Sequence, residues 1–301
     1  MNRLCTLFTV MVVMVGALFV GHEALAKVFT GTAGDDTFVG TDRDDRFTGR
    51  RGSDRFTGRE GEDRLKGSRG NDHLKGSRDG DHLWGSRGND HLWGSRGNDK
   101  IVSGEGSDTM QGETGNDILT GGPNNDTIDG GPGNDTYKFA DNFGADRISA
   151  DSAGVDTLNF SALTSTFTSG DGVHIDLRGQ GSNLCPSTKN GCISVAGPFI
   201  ENVVGTTVGD LLVGNTYSNE INGGDGDDTI NGRRGNDEII PGEGNDVVRA
   251  GAGDDLIYAR DTEGEDYIDC GAGFDKVETI HLEDRTLSNC ERALGPRQGD
   301  V

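Results

Sequence analysis

The sequence predicts an all-β protein, a parallel solenoid of 18-residue coils, and three observations predict it. An Asp followed two residues later by an apolar side chain recurs every nine residues, twelve times without a slip. Gly, Asn, Asp and Ser fill the intervals. A content of 51 Gly with only 31% hydrophobic residues in 301 cannot fill a broad core, whereas a slim stacked core needs little.

The first array runs through Asp36, Asp45, Asp54, Asp63, Asp72, Asp81, Asp90, Asp99, Asp108, Asp117, Asp126 and Asp135. Its apolar partners begin Phe38, Phe47, Phe56, Leu65 and end Leu119, Ile128, Tyr137. The six loop residues tolerate positive φ and make a turn. Three residues then make a short strand whose middle side chain alone points inward. Two such units close one coil, which buries about two apolar side chains, so stacking must supply the core. Six coils rise roughly 29 Å at the ~4.8 Å strand spacing.

A second array passes through Asp210, Asn219, Asp228, Asp237, Asp246 and Asp255, then Asp266 after a two-residue insertion, then Asp275. Between the arrays, residues 139–209 lack the period but alternate like strands at Val173-His174-Ile175-Asp176-Leu177. They read as wider coils with a hairpin tip at Cys185 and Cys192. The expected organisation is therefore a roll over 27–138, linking coils over 139–209, a second roll over 210–277 and a capping tail over 278–301.

Residues 1–26 read as a secretory signal peptide. Arg3 supplies the positive start, residues 4–20 are mostly apolar, and Ala24-Leu25-Ala26 forms the small-residue site for cleavage before Lys27. A single membrane anchor is the competing reading; the cleavage site behind the apolar run speaks against it. No other segment is apolar enough to insert in a membrane. Export favours oxidation of the four mature cysteines. Proximity favours Cys185–Cys192 and Cys270–Cys290 among three possible connectivities.

Charge is uneven. Residues 40–100 hold 14 Lys and Arg against 12 Asp and Glu, whereas residues 101–301 hold 12 against 36. The acidic part makes nucleic acid an improbable partner and a cation a natural one.

GGPGNDTYK at 130–138 and GGDGDDTIN at 223–231 resemble the nonapeptide of the repeats-in-toxin (RTX) calcium-binding family, the hemolysin-type repeats. The resemblance covers most of the chain after residue 26. It implies a right-handed parallel β-roll (β-solenoid) in which loop Asp side chains and glycine-loop carbonyls of successive coils hold Ca2+. Carried over by position, the ligands fall on Asp36, Asp54, Asp72, Asp90, Asp108 and Asp126 of one face. Asp63, Asp99, Asp117 and Asp135 serve the other. Asp228, Asp237, Asp246, Asp255 and Asp275 serve the second array. The accompanying glycines are Gly115, Gly131, Gly133, Gly224, Gly226, Gly235, Gly244 and Gly253. Toxin activity is not implied, because the membrane-active or enzymatic domains of those toxins have no counterpart here.

The residues themselves also favour calcium. Carboxylates stacked about 5 Å apart repel by about 3 kcal/mol per neighbouring pair at an effective dielectric of ~20. A hard cation with six to eight loosely arranged oxygens reverses that sign; Mg2+ wants a tighter octahedron and Zn2+ wants His or Cys. Affinity on the order of 10⁻⁴–10⁻³ M suits extracellular modules, and binding energy of this kind is folding energy. Asp45 and Asp81 follow loops with Arg43 and with Arg78-Asp79-Gly80, so weaker sites are expected there; Asn219 should weaken its own. Arg87 and Arg96, at a variable loop position, are placed to screen the columns, making the coils of 40–100 less dependent on calcium.

Three further features are weighed. His73, His82 and His91 recur on the outside and read as a solvated ladder ahead of a transition-metal site. Trp84 and Trp93 stand one coil beyond Lys66 and Lys75, where cation–π contact would cover the rings. No H-E-x-x-H, G-x-S-x-G or nucleotide loop is present, so an enzyme is not expected. The expected role is a calcium-rigidified secreted or cell-surface module. The alternative is a binder of extracellular polysaccharide or another cell-envelope component through residues 165–200.

Overall fold

The computed structural model describes residues 25–149, 153–163, 172–178, 183–187, 191–196, 200–260, 264–279 and 286–294. The signal-peptide reading of residues 1–26 therefore lies almost wholly outside the described residues. So do the side chains of Cys185 and Cys192.

Among the described residues every regular element is a strand, and the strands pair in parallel except Asn183–Ser187 on Gly191–Ala196. Leu65 lies beside Leu83 and Leu74 beside Leu92, each 18 residues on, so the register equals the predicted coil. One sheet of 14 strands runs the whole length, from Val28–Thr30 to Arg292–Leu294. The opposite wall is split. A nine-stranded sheet from Thr37–Val39 ends on Gly191–Ala196 and Asn183–Ser187, and a six-stranded sheet begins at His174–Asp176. The two arrays are thus one solenoid, continuous on one wall and interrupted on the other at the linking coils.

The core is one stack of fully buried apolar side chains, Phe47, Phe56, Leu65, Leu74, Leu83, Leu92 and onward to Val277. Larger rings appear where a coil has an open end or a wider bore. Phe29 and Phe38 pack on Phe47 and Phe56 at the N-terminal end. Phe139 stacks on Phe160 at 4.8 Å in the linking coils.

One expectation is corrected. The strands are not uniformly three residues with a single inward side chain: many reach five or six, as Arg64–Arg69 does, and two positions face inward. Leu65 is one and Gly67 the other. The second position stays small because the loop Asp occupies the space above it.

Asn183–Ser187 pairs antiparallel with Gly191–Ala196, and the expected hairpin tip between them, residues 188–190, lies outside the described residues. The C-terminal tail supplies a further coil, since Thr286–Ser288 and Arg292–Leu294 extend the two walls. A disulfide joins Cys270 to Cys290 with Cα atoms 5.2 Å apart and ties that coil to the one beneath.

Candidate metal centre: two columns of buried carboxylates

Past the first rung of each column the loop Asp is buried, and its Oδ1 accepts the backbone N–H of the column residue one coil earlier. Asp54 N donates to Asp72 Oδ1 at 2.8 Å, Asp72 to Asp90 at 2.8 Å and Asp90 to Asp108 at 2.7 Å. The other column repeats this through Asp63, Asp81, Asp99, Asp117 and Asp135. In the second array Asp228 N bonds Asp246, and Asp237 bonds Asp255. The column is therefore a hydrogen-bonded ladder before any ion is considered.

The second oxygen is the unusual one. Oδ2 of Asp54, Asp63, Asp72, Asp81, Asp90, Asp99, Asp117 and Asp126 is buried without a hydrogen bond, as are those of Asp228, Asp237, Asp255 and Asp275. An unpaired buried polar atom is costly, and an ionised one more so. Burial accordingly pushes Asp81, Asp126 and Asp228 up to about 8. Asp63, Asp90, Asp117 and Asp237 rise to about 7, and Asp72, Asp99 and Asp255 to about 6. Lost hydration is the main cause. The backbone N–H pulls back toward the ordinary value, and neighbouring carboxylates add a smaller push. This corrects the electrostatic reading: burial, more than mutual repulsion, makes the columns demand a cation or a proton.

The orphan oxygens have company. A Cβ placed on Gly49 would lie 1.9 Å from Asp54 Oδ2 and 2.5 Å from the carbonyl oxygen of Gly67, one coil on. Gly58, Gly112 and Gly232 show the same convergence with Asp63, Asp117 and Asp237. The inner position five residues before the Asp must therefore stay small; glycine fills it at most rungs, Ser103, Pro241, Ala250 and Cys270 fill it at others, and the ligand set carried over from the family did not include it. The eight glycines carried over from the family sit in the outer turn with positive φ. There each packs on a carbonyl one coil back: Gly133 on Gly115, Gly244 on Gly226 and Gly253 on Gly235. Gly131 and Gly224 lie likewise against Glu113 and Thr206. Buried carboxylate and backbone carbonyl oxygens are the donor set of a hard cation, so the residues fit Ca2+. Among the described residues no three His, Cys, Asp or Glu side chains converge as a ligand cluster, which the reliance on carbonyls explains.

The ends of the columns differ from their middles. At Asp36, Asp45 and Asp210 the Oδ2 is not orphaned, because Thr32, Thr41 and Thr206 donate backbone N–H to it, each at 2.6 Å. Their hydroxyls add a second bond. Asp36, expected as a ligand, thus has its inner oxygen satisfied by Thr32. The signal was legible as Gly-Thr at 31–32, 40–41 and 205–206, since no other repeat loop reads Gly-Thr. Lys27 N donates to Asp45 Oδ1, so Asp45 is satisfied on both oxygens. Asp81, also expected to be weak, has the same buried geometry as its neighbours, and Asp79 takes φ +67° in the glycine's place. Asn219 donates Nδ2 to Glu201 O at 2.6 Å, an uncharged rung that needs no ion.

The columns also reach further than the period. Asp146 and Asp156 accept from Asp126 and Asp135, while Glu201 and Glu291 accept from Asp156 and Asp275. Their spacings of 20, 21, 45 and 16 hid them in the sequence. The residue before each Asp forms an opposed ladder on the outside: Asn134 N donates to Asn116 Oδ1 and Asn116 N to Asn98 Oδ1, at 2.9 and 2.8 Å.

On the outer faces, His73 and His91 stack at 5.0 Å and both lie beside Trp93. The rings are covered by imidazole instead of the expected lysine. Among the described residues a cation–π contact forms elsewhere, Arg260 over Tyr258.

Fold and site together define a calcium-binding parallel β-solenoid. The model of the RTX calcium-binding nonapeptide repeat matches residues 30–65, 57–86, 66–101, 76–110, 102–137, 204–239 and 240–277, more than half of the chain. The chain belongs to that family of calcium-binding repeats. No curated protein matches it.

Proposed function

We propose that this chain is an exported, multi-site calcium-binding roll that folds on calcium outside the cell and serves as a rigid extracellular or cell-surface module. The observation that carries the reading is the pair of columns in which buried Asp side chains each spend one oxygen on the backbone and leave the other unpaired beside a loop carbonyl. Calcium would be held by those Oδ2 atoms and loop carbonyls, with several ions per chain. The bound ion supplies the positive charge the interior lacks; the residues supply order, one rung per half-coil. No catalytic role is assigned.

Export before Lys27 suits this arrangement, since among the described residues Lys27 is the first to bond to the solenoid and Leu25 is 82% exposed. The testing experiment is circular dichroism during a calcium titration. The reading expects a cooperative gain of β-structure by millimolar calcium. A chain equally folded in EDTA sinks it. Binding of polysaccharide or another envelope component near residues 165–200 is the second reading, supported by the antiparallel hairpin that ends the nine-stranded sheet. Deleting residues 183–193 should then abolish glycan binding and leave folding intact.

A further inference from the structure

One corner of the N-terminal coils carries positive charge that forms few ion pairs among the described residues. Arg50, Arg51, Lys66, Arg69 and Arg87 line a cleft of about 450 Å3 where the long sheet turns into the loops. Ser68 and Ser86 complete it. Arg69 is the register neighbour of Arg87, and Arg51 precedes Arg69 by one coil, so three arginine positions follow one another along the axis at the ~4.8 Å spacing of the strands.

The opposite corner handles the same residue type differently. There Arg59 pairs with Asp42 at 3.8 Å and Arg78 pairs with Glu60 across one coil. In the cleft only Arg87 has such a partner, Glu105, at the cleft's far end. Arg50, Arg51, Lys66 and Arg69 form no ion pair among the described residues.

Arg50, Ser68 and Ser86 stand at φ 106°, 97° and 95° at this corner, and Arg59, Ser77 and Ser95 stand at 114°, 113° and 94° at the other, so the turn geometry is common to both and the unpaired charge is what sets this corner apart.

We propose that this cleft binds an acidic polysaccharide, a chain bearing sulfate or carboxylate on successive sugars. Guanidinium forks recognise such oxyanions through paired charge-assisted hydrogen bonds, and the serine hydroxyls suit sugar hydroxyls. The charge of an extended acidic glycan recurs at a spacing of the same order as the coil rise. No aromatic ring lines the cleft to stack a base, and no apolar side chain lines it to enter a lipid surface. The acidic remainder of the chain opposes long polyanions and confines contact to these coils.

The test is calorimetric titration of the calcium-loaded full chain with dextran sulfate, using uncharged dextran as control. Dextran sulfate should bind with affinity that falls steeply with salt, and dextran should not bind. R51Q/R69Q should weaken binding by about tenfold or more, R51K/R69K by less, and R59Q/R78Q on the opposite corner by less than about twofold. Circular dichroism verifies folding of each variant. Three outcomes overturn the proposal: no binding at low salt, equal loss from both corners, or tighter binding of a single-stranded oligonucleotide or anionic phospholipid vesicles through the same arginines.

Discussion

Asp117 presents one carboxylate oxygen to the backbone N–H of Asp99 at 2.7 Å and leaves its other oxygen buried beside Gly112 and the Gly130 carbonyl. The two oxygens have separable duties, one for the fold and one for the ion. Asp117→Asn keeps the acceptor and turns the orphan into an amide that can donate to that carbonyl. It should melt higher than the parent in EDTA and bind one calcium fewer by equilibrium dialysis. Asp117→Ala loses both duties and should cost about 1–3 kcal/mol with or without calcium. An Asn variant less stable than the parent in EDTA would break this division.

The pH dependence follows with a definite sign. Folded-state values of about 6 to 8 stand above the ordinary 3.8 of Asp, so the folded chain holds more protons than the unfolded one between them. Stability without calcium must then fall as pH rises through that window. Melting in EDTA should occur at a higher temperature at about pH 5 than at about pH 8. Calcium displaces those protons, so its affinity should climb over the same range. Melting curves with and without calcium at the two pH values check both halves.

The outer turn makes a prediction about single residues. Ser86 holds φ 95°, where glycine is favoured, while Gly115 holds φ 138° with room for no Cβ, which would lie 1.7 Å from Gly97 O. Ser86→Gly relieves strain, partly offset by unfolded-chain entropy, and should stabilise by about 1 kcal/mol. Gly115→Ala should destabilise by more than that. Urea midpoints in calcium measure both, and a destabilised Ser86→Gly would mean that the serine's contacts outweigh its strain.

The regular part of this molecule was legible because it depends on a period. Leu65 beside Leu83 follows from counting to eighteen. What the period could not convey lies where spacing breaks or where a side chain does a job that resembles filler. Asp146 and Glu201 complete columns across insertions, so no count finds them. Asn116 looks like turn composition until its Oδ1 is seen accepting the next coil's N–H. The inward glycine beside an Asp such as Asp54 or Asp117 reads as turn composition until the Asp Oδ2 is seen to occupy the space a Cβ would need.

The disulfide closes a loop of modest length, with Cys270 and Cys290 separated by 20 in sequence. Chain-entropy reasoning assigns such a closure about 3 kcal/mol. Cys290→Ser should therefore release the last coil first, with Arg292–Leu294 losing amide protection before the coils beneath. Hydrogen exchange reads this directly. Global loss of protection at one rate would make the bond a support of the whole solenoid, not of its end.

Calcium withdrawal should affect the two arrays alike, contrary to the expectation that Arg87 and Arg96 spare the first. Those arginines are exposed, and Arg87 is engaged by Glu105. The carboxylates they were to screen are buried inside the coil. Burial raises Asp81 in the arginine-rich coils to about 8, the same value as Asp228 in the acidic array. Charge outside the roll does not relieve a cost that arises from lost hydration within it. Hydrogen exchange after EDTA addition should show the amides of Leu83 and Ile230 losing protection over the same calcium range. Survival of the Leu83 amide at calcium levels that release Ile230 would restore the surface arginines to that role.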